Sequence, residues 1–300
     1  MLLIYDNGIM KIACIPAYNE EKNIGNMVKQ SLQYVDKVVV CDDGSTDNTG
    51  KIARESGAQV ISHKKNEGYG AAIITLFDMA RKENADIMIT IDGDGQHDPG
   101  QIPILINTLQ ENNVDVVIGS RFLDSTSDTP GYRKRGIKII TSAANFGADF
   151  KVTDSQSGFR AYSKKAIESI HPTETGMAVS TEILLKISNK GLSLAEVPIS
   201  ISYGDDTSTQ NPVPHGIVVL MNTLKFISVK HPIGFYGFPG IALVIIGSIL
   251  GYQFLDAYLH QHIALLGSLF AAILLFLVGT ILCVTAVILF SMATLIREKN

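Results

Sequence analysis

The chain has no tryptophan, three cysteines among 300 residues, and no basic excess, its formal net charge being −4. Each shortage excludes something. A net negative chain lacks the electrostatic footprint of a nucleic-acid binder, so no nucleic-acid partner is expected. Cys14, Cys41 and Cys283 lie far apart in apolar runs. They form neither a metal-binding spacing nor a disulfide framework, and read as reduced core or lipid-facing residues. No G-x-G-x-x-G follows the first strand-like run and no Walker A sequence occurs, which removes the standard dinucleotide and P-loop readings. The segment 1–10 carries Asp6 and no basic residue, so it does not read as a signal peptide; Met1 and Met10 are equally plausible starts.

Charge is also missing from residues 232–255 and 263–296, which contain no Lys, Arg, Asp or Glu. Each run exceeds the roughly 20 residues that cross a hydrocarbon core, and the second is long enough to tilt. Neither offers a polar face to water, against a buried hairpin of a soluble protein. The short link from Asp256 to His262 makes the spans antiparallel. Lys225, Lys230, Arg297 and Lys299 flank their outer ends while the link has no Lys or Arg. The positive-inside rule then predicts an integral membrane protein whose large domain is cytoplasmic. Ile217, Leu220, Met221, Leu224 and Ile227 share one helical face, predicting an amphipathic helix in the membrane interface. The expected organisation is a cytoplasmic domain over 1–215, an interfacial helix over 216–231 and a transmembrane hairpin over 232–300.

The first half alternates β-branched runs with helical patterns. Strands are expected over 11–15, 37–41, 58–62, 86–91 and 114–119, with helices over 20–34, 47–55, 69–82 and 99–110 between them. Ser45 or Thr46 would cap the second helix. This alternation predicts an α/β fold with a doubly wound, mostly parallel sheet. Later elements are less regular: a polar loop over 123–131, a helix over 138–146, a turn and strand over 154–162, a helix over 180–187, and an edge strand over 195–202 on account of Pro198.

In such sheets ligands bind beyond the carboxyl ends of the strands. The informative residues sit there: Pro16-Ala-Tyr-Asn-Glu20, Asp42-Asp-Gly-Ser-Thr-Asp47, Asn66-Glu-Gly68-Tyr-Gly70, Asp92-Gly-Asp94-Gly-Gln96 and Gly119-Ser-Arg121. Asp92, Asp94 and Gln96 offer hard oxygen donors of the kind that suit Mg²⁺ or Mn²⁺ bridged to phosphate. His97 reads as a polar loop histidine rather than a ligand. Taken alone, each other motif also has a bland reading. Glu20 suits the first turn of a helix, Asp42 and Asp43 suit an Asx turn and a cap, and Asn66, Gly68 and Gly70 suit a loop. They suit equally a helix N-terminus facing an anion.

With the later Asp154-Ser-Gln-Ser-Gly-Phe-Arg160-Ala, the ordered set resembles the inverting GT-A glycosyltransferases of family 2, of the dolichyl- and polyprenyl-phosphate sugar synthase kind. The resemblance covers roughly residues 10–200. It implies transfer of a hexose-type sugar from a nucleotide sugar to a polyprenyl phosphate, with Mg²⁺ or Mn²⁺ as cofactor. It implies Asp92, Asp94 and Gln96 as metal ligands, and Pro16, Tyr18, Glu20, Asp43, Asn66, Gly68 and Asp92 around the nucleotide sugar. Asp94, Asp154 and Arg121 become catalytic candidates, and Arg121, Arg133, Arg135 and Lys138 candidates for the lipid phosphate. Glu182 lies where related transferases place a general base, but an ionised phosphate acceptor needs none, so it reads as structural or sugar-orienting. The family's Arg four residues before a Ser is here Lys138 before Ser142, and the polar segment 203–215 lacks the Arg expected of mannosyl members. GDP-mannose and a UDP-hexose or UDP-N-acetylhexosamine thus both stand as donors. Alternative readings are transfer to a glycan or protein, and a non-catalytic membrane-anchored nucleotide-sugar binder. The absent tryptophan argues against processive synthases of this fold, which use Q-x-x-R-W, and the intact metal triplet disfavours the non-catalytic reading. A homo-oligomer is compatible with the sequence.

Overall fold

The computed structural model describes residues 8–123, 131–148, 150–201, 221, 224, 225, 227, 228, 231–261, 263 and 265–298. Contacts divide the chain into two units, Met1–Thr223 and Leu224–Asn300.

In the first unit, seven strands form one sheet: β1 Lys11–Ala17, β2 Lys37–Asp42, β3 Gln59–Ser62, β4 Ile87–Thr90, β5 Val116–Ser120, β6 Arg160–Ser163 and β7 Leu194–Pro198. Their order is β3-β2-β1-β4-β6-β5-β7. Helices α1 Ile24–Ser31, α2 Thr49–Glu55, α3 Tyr69–Lys82, α4 Ile102–Glu111, α5 Gly131–Gly147, α6 Lys164–Ser169 and α7 Val179–Asn189 complete it. Both sheet faces are covered, which is why β1 is buried almost end to end. Alternate β1 residues serve two apolar layers. Ile12 and Cys14 pack with Leu76, Phe77 and Ile183; Ala13 and Ile15 pack with Met27, Val28 and Leu105. β1 pairs in parallel with β2 on one side and β4 on the other, so successive connections leave it in opposite directions. A crevice opens beyond its carboxyl end.

The departure from a parallel sheet is β6, antiparallel to both β4 and β5. It has a positional consequence. Arg160, the first residue of β6, pairs with Thr90, the last of β4. The Ser157-Gly158-Phe159 turn therefore sits beyond the carboxyl end of β4, beside Asp92. The Thr90 hydroxyl donates to the Gly158 carbonyl at 2.7 Å and fixes the turn. β7 lies at the sheet edge, as Pro198 suggested.

Other differences have local causes. α1 begins at Ile24 rather than residue 20, because Asn19 adopts a left-handed φ of 57° and its side chain is bonded to the next loop. α2 starts at Thr49 after Asn48, with no side-chain cap from Ser45 or Thr46. α5 begins seven residues before the expected start, at Gly131; Gly131, Gly136 and the run of basic residues between them hide its first turns from a helical pattern. α6 was unread. The segments 124–130 and 202–220 lie outside the described residues, and with them most of the interfacial helix and the 203–215 loop.

In the second unit, α8 Phe238–Gln261 and α9 Leu266–Glu298 form a helical hairpin. Together with the turn before α8, they give two apolar spans, Ile233–His260 and Leu266–Thr294, with mean hydropathies of 2.0 and 3.0. Small residues let the helices approach. A Cβ on Gly240 would lie 2.9 Å from the Gly279 carbonyl, and one on Gly247 2.9 Å from the Ala272 carbonyl, the close packing favoured in lipid. The outer faces remain apolar and exposed, Phe238, Tyr252 and Phe270 among them, as lipid requires.

Arg160 anchors the turn beside Asp92. It is 2% exposed and donates to the carbonyls of Ser157 (2.8 Å), Ser155 (2.9 Å) and Ser180 (3.2 Å). Arg160→Ala strands these buried acceptors and is expected to cost about 3 kcal/mol or more. Thermal unfolding in detergent should show a Tm lower by about 6 °C or more, against no measurable change for the exposed Lys51→Ala.

Candidate active site

Two motif loops meet at the carboxyl ends of β1 and β2 and are laced together. The Asn19 backbone donates to the Ser45 hydroxyl at 3.0 Å and its side-chain oxygen accepts from the Thr46 backbone at 2.9 Å. The Glu20 backbone donates to the Thr49 hydroxyl at 2.7 Å, and Glu21 accepts from the Asn48 backbone at 3.1 Å. The side chain of Tyr18 is left exposed at the rim, with Pro16 buried beneath.

Asp42 and Asp43 are both buried and are already engaged. Asp42 accepts from the Ser45 backbone at 3.0 Å, the Asx turn anticipated for this pair. Asp43 accepts from the backbone N–H groups of Glu67 (2.9 Å) and Gly68 (2.8 Å), and lies 2.7 Å from His63 Nδ1. His63 Nε2 in turn reaches the Thr75 hydroxyl at 2.9 Å. Asp43 thus ties the β2 end to the Asn66–Gly70 loop. His63 escaped the sequence reading because nothing in a lone histidine after a short strand signals an aspartate partner.

The N-terminus of α3 is also occupied. The Ala71 backbone donates to the Thr175 carbonyl at 3.2 Å, and a Cβ on Gly68 would stand 2.5 Å from that oxygen. Gly68 and Gly70 therefore serve a close approach of the 174–176 loop, in place of the anion-facing helix end. Glu182 holds that loop from behind. It is buried, and accepts from the Thr173 backbone (3.0 Å), the Thr173 hydroxyl (2.6 Å) and the Glu174 backbone (2.9 Å), with Lys186 at 2.9 Å. Burial would raise its pKa, but these donors hold it below the usual glutamate range. A carboxylate so engaged is an anchor.

Asp92 and Asp94 follow β4. Asp92 accepts from the Tyr69 hydroxyl at 3.0 Å and has His97 Nε2 at 3.7 Å. His97 lies outside the helices and named strands, in the segment after β4 as expected, but its ring is buried and packs on Phe159, with ring centroids 5.3 Å apart. Asp94 accepts from the Gln96 backbone at 3.0 Å, and its own carbonyl accepts from the Asn23 side chain at 2.9 Å. Gly95, at φ 77°, makes the turn between them. Burial pushes both aspartates up, but donation from His97 and Tyr69 holds Asp92 below its ordinary range. For Asp94, burial and the neighbouring Asp92 charge outweigh the relief from the Gln96 backbone and His97, and raise it. Glu20 is pushed up to about 7 by burial, then by the charges of Asp94, Asp47 and Asp92, against a hydrogen bond from Asn23. Three acids from the ends of β1 and β4 therefore feel one another.

Among the described residues, no group of three or more His, Cys, Asp or Glu side chains is placed to hold a metal ion. The donor set fits an open site instead. Crowded carboxylates, two of them reluctant to ionise, invite a divalent cation that completes its shell with water and phosphate oxygens.

Arg121 and Asp154 are brought together by β5 and the segment before β6. Their ion pair is bidentate, Nε to Oδ2 at 2.6 Å and Nη2 to Oδ1 at 2.7 Å, and Asp154 is fully buried. The backbone of Asp154 and Thr153 is held by Glu196. α5 is tied to the same segment through Thr141 to Ser155 at 2.9 Å and Asn145 to Val152 at 2.8 Å. Its outer face exposes Arg135, Lys138 and Ile139. Arg133 lies in α5, within the turn preceding them.

Between its ordinary value of 4.5 and about 7, folded Glu20 holds a proton that the unfolded chain releases. Stability without metal should therefore fall as pH rises through that window. Thermal melts in EDTA are expected to show this slope, and Glu20→Gln to flatten it. Added Mn²⁺ should raise Tm more at pH 8 than at pH 5.

The model of the family described as "Glycosyl transferase family 2" matches residues 12–170. A UDP-N-acetylglucosamine–dolichyl-phosphate N-acetylglucosaminyltransferase of Methanococcus voltae is 34% identical over 63% of this chain and 84% of its own length. A dolichyl-phosphate hexose transferase of Haloferax volcanii is 32% identical over 69% of this chain and 90% of its own. Among solved structures, glucosyl-3-phosphoglycerate synthase of Mycobacterium tuberculosis superposes with a TM-score of 0.59 at 22% identity. That match covers 74% of this chain and 81% of that one, a likeness of fold. Matched over residues 12–170, which hold every strand-end motif, the chain belongs to glycosyltransferase family 2 and has the GT-A fold.

Proposed function

We propose that this protein transfers a hexose-type sugar, with inversion, from a nucleotide diphosphate sugar to dolichyl or another polyprenyl phosphate, using Mg²⁺ or Mn²⁺. One observation carries the reading: Glu20, Asp92 and Asp94 converge at the end of β1 and β4 with raised proton affinity at Glu20 and Asp94. That is an electrostatic vacancy for a cation.

A divalent cation there would be held by Asp92, Asp94 and Gln96 and would neutralise the departing diphosphate. The same requirement is met in the structural relative, whose crystals contain Mn²⁺ and UDP. Tyr18, at the rim above Pro16, offers its ring to the nucleobase, and the braced loops carrying Glu20 and Asp43 shape the ribose side. The acceptor needs no general base, because a phosphate monoester is already ionised at neutral pH. This agrees with Glu182 being engaged in an anchor. What the acceptor needs is cations, and α5 supplies Arg133, Lys134, Arg135 and Lys138 without a single acid. Arg121, paired with Asp154, places its charge at the same end of the sheet.

The acceptor class draws support from two further facts. Several relatives are named for dolichyl phosphate, and the two apolar spans suit an enzyme whose acceptor resides in a bilayer. By the positive-inside rule the catalytic domain is cytoplasmic. Both GDP-mannose and UDP-linked hexoses or N-acetylhexosamines remain donor candidates.

The purified full chain, given Mn²⁺, polyprenyl phosphate and each radiolabelled nucleotide sugar in turn, should yield one lipid-linked monosaccharide. Absence of lipid product with every donor sinks the reading. Asp94→Ala should abolish turnover. Arg135→Ala with Lys138→Ala should raise KM for the lipid phosphate about tenfold or more while leaving the donor KM near wild type.

A further inference from the structure

The geometry points to Tyr69 as a positioning residue for Asp92: its hydroxyl fixes which carboxylate oxygen remains for the cation, and the Asn66–Gly70 motif exists to aim it. This inference rests on the metal reading given above and extends it to a residue outside the ligand set.

Three elements converge on the Asp92 carboxylate. The Tyr69 hydroxyl donates to Oδ1 at 3.0 Å. His97 Nε2 stands 3.7 Å from Oδ2. Gly158 closes the third side, because a Cβ there would lie 2.5 Å from Oδ2, 2.6 Å from Oδ1 and 2.8 Å from the Tyr69 hydroxyl. The glycine of the Ser157-Gly158-Phe159-Arg160 motif is thus the one residue that leaves room for Asp92 and Tyr69 to meet.

Tyr69 is itself aimed from behind. It is the first residue of α3, held between Gly68 and Gly70. The Gly68 backbone is clamped by Asp43 at 2.8 Å, and both glycines abut the 174–176 backbone. Glu182 secures that backbone by accepting from Thr173 and Glu174. A continuous path of contacts therefore runs from Glu182 through the 173–176 loop to Tyr69 and Asp92. Asp43 joins it from β2. Outer partners of this kind orient a ligand and set its affinity, and losing one commonly weakens metal binding about 10–100-fold.

Mn²⁺ binding to the detergent-solubilised full chain, followed by EPR with UDP and separately with GDP present, tests this directly. Wild type should bind. Tyr69→Phe should bind about tenfold more weakly or worse, with kcat restored as Mn²⁺ is raised and the Tm little changed. Gly158→Ala should act in the same direction, and if it fails to fold the Tyr69→Phe result decides alone. Wild-type Mn²⁺ affinity in Tyr69→Phe, or a loss of turnover that excess Mn²⁺ does not restore, overturns the positioning role. A wild-type protein that binds no Mn²⁺ with either nucleotide overturns the metal reading itself, and with it this one.

Discussion

Carboxylates at the open end of a parallel sheet repel one another, and everything near the crevice of this protein is arranged around that repulsion. Asp92 is held ionised by donors, while Asp94 and Glu20 carry the strain as raised proton affinity. The sheet order makes the crowding unavoidable. β1 and β4 are neighbours, so the acids that end them cannot separate. A cation or protons must answer the charge. The reaction proposed for the site uses the first answer and brings its own anion, a diphosphate, to complete the shell.

Several charged residues that look available in isolation prove to be already engaged once their partners are counted. Glu182, Asp43 and Asp154 each sit buried with two or more donors. An ionised carboxylate in that condition is stabilised in place, since removing any donor leaves buried charge unpaired. Such residues hold loops. Groups free to act on a ligand are the under-satisfied or exposed ones: Glu20, Asp94, the Tyr18 ring and the outer face of α5. The distinction rests on hydrogen-bond partners, and residue type alone would have placed the two sets together.

This explains what was legible in the sequence. The alternation of short β-branched runs and helices, the strand-end motifs and the two charge-free spans are local patterns, and each led to the right element within a few residues. α3 was placed to the residue, because its glycines and apolar period agree. β6 was visible as a strand but its antiparallel insertion was not, since strand direction depends on pairing between β4 and β5 far away in sequence. The same holds for His63 beside Asp43, for Asn23 beneath Asp94 and for Gly158 against Asp92. Each partnership spans 20 residues or more, and neither hydrophobic period nor motif spacing encodes it. The loop position of His97 is legible from its polar neighbourhood, but its burial is not, because folding lays its ring on Phe159.

The antiparallel β6 also gives the motif set a common physical cause. If β6 ran parallel to β4, its preceding turn would lie at the amino end of the sheet, away from the crevice. Running antiparallel, it delivers Gly158 to Asp92 and, one turn earlier, Asp154 to Arg121. The segment between β5 and β6 is far longer than an antiparallel pair requires, and it carries α5 with its basic outer face. The polarity of one strand thus brings the carboxylate side of the site and the cationic side together. In the proposed reaction the leaving diphosphate and the incoming phosphate are both anions and both need positive charge, which a cation on the carboxylates would supply to one and the basic face of α5 to the other.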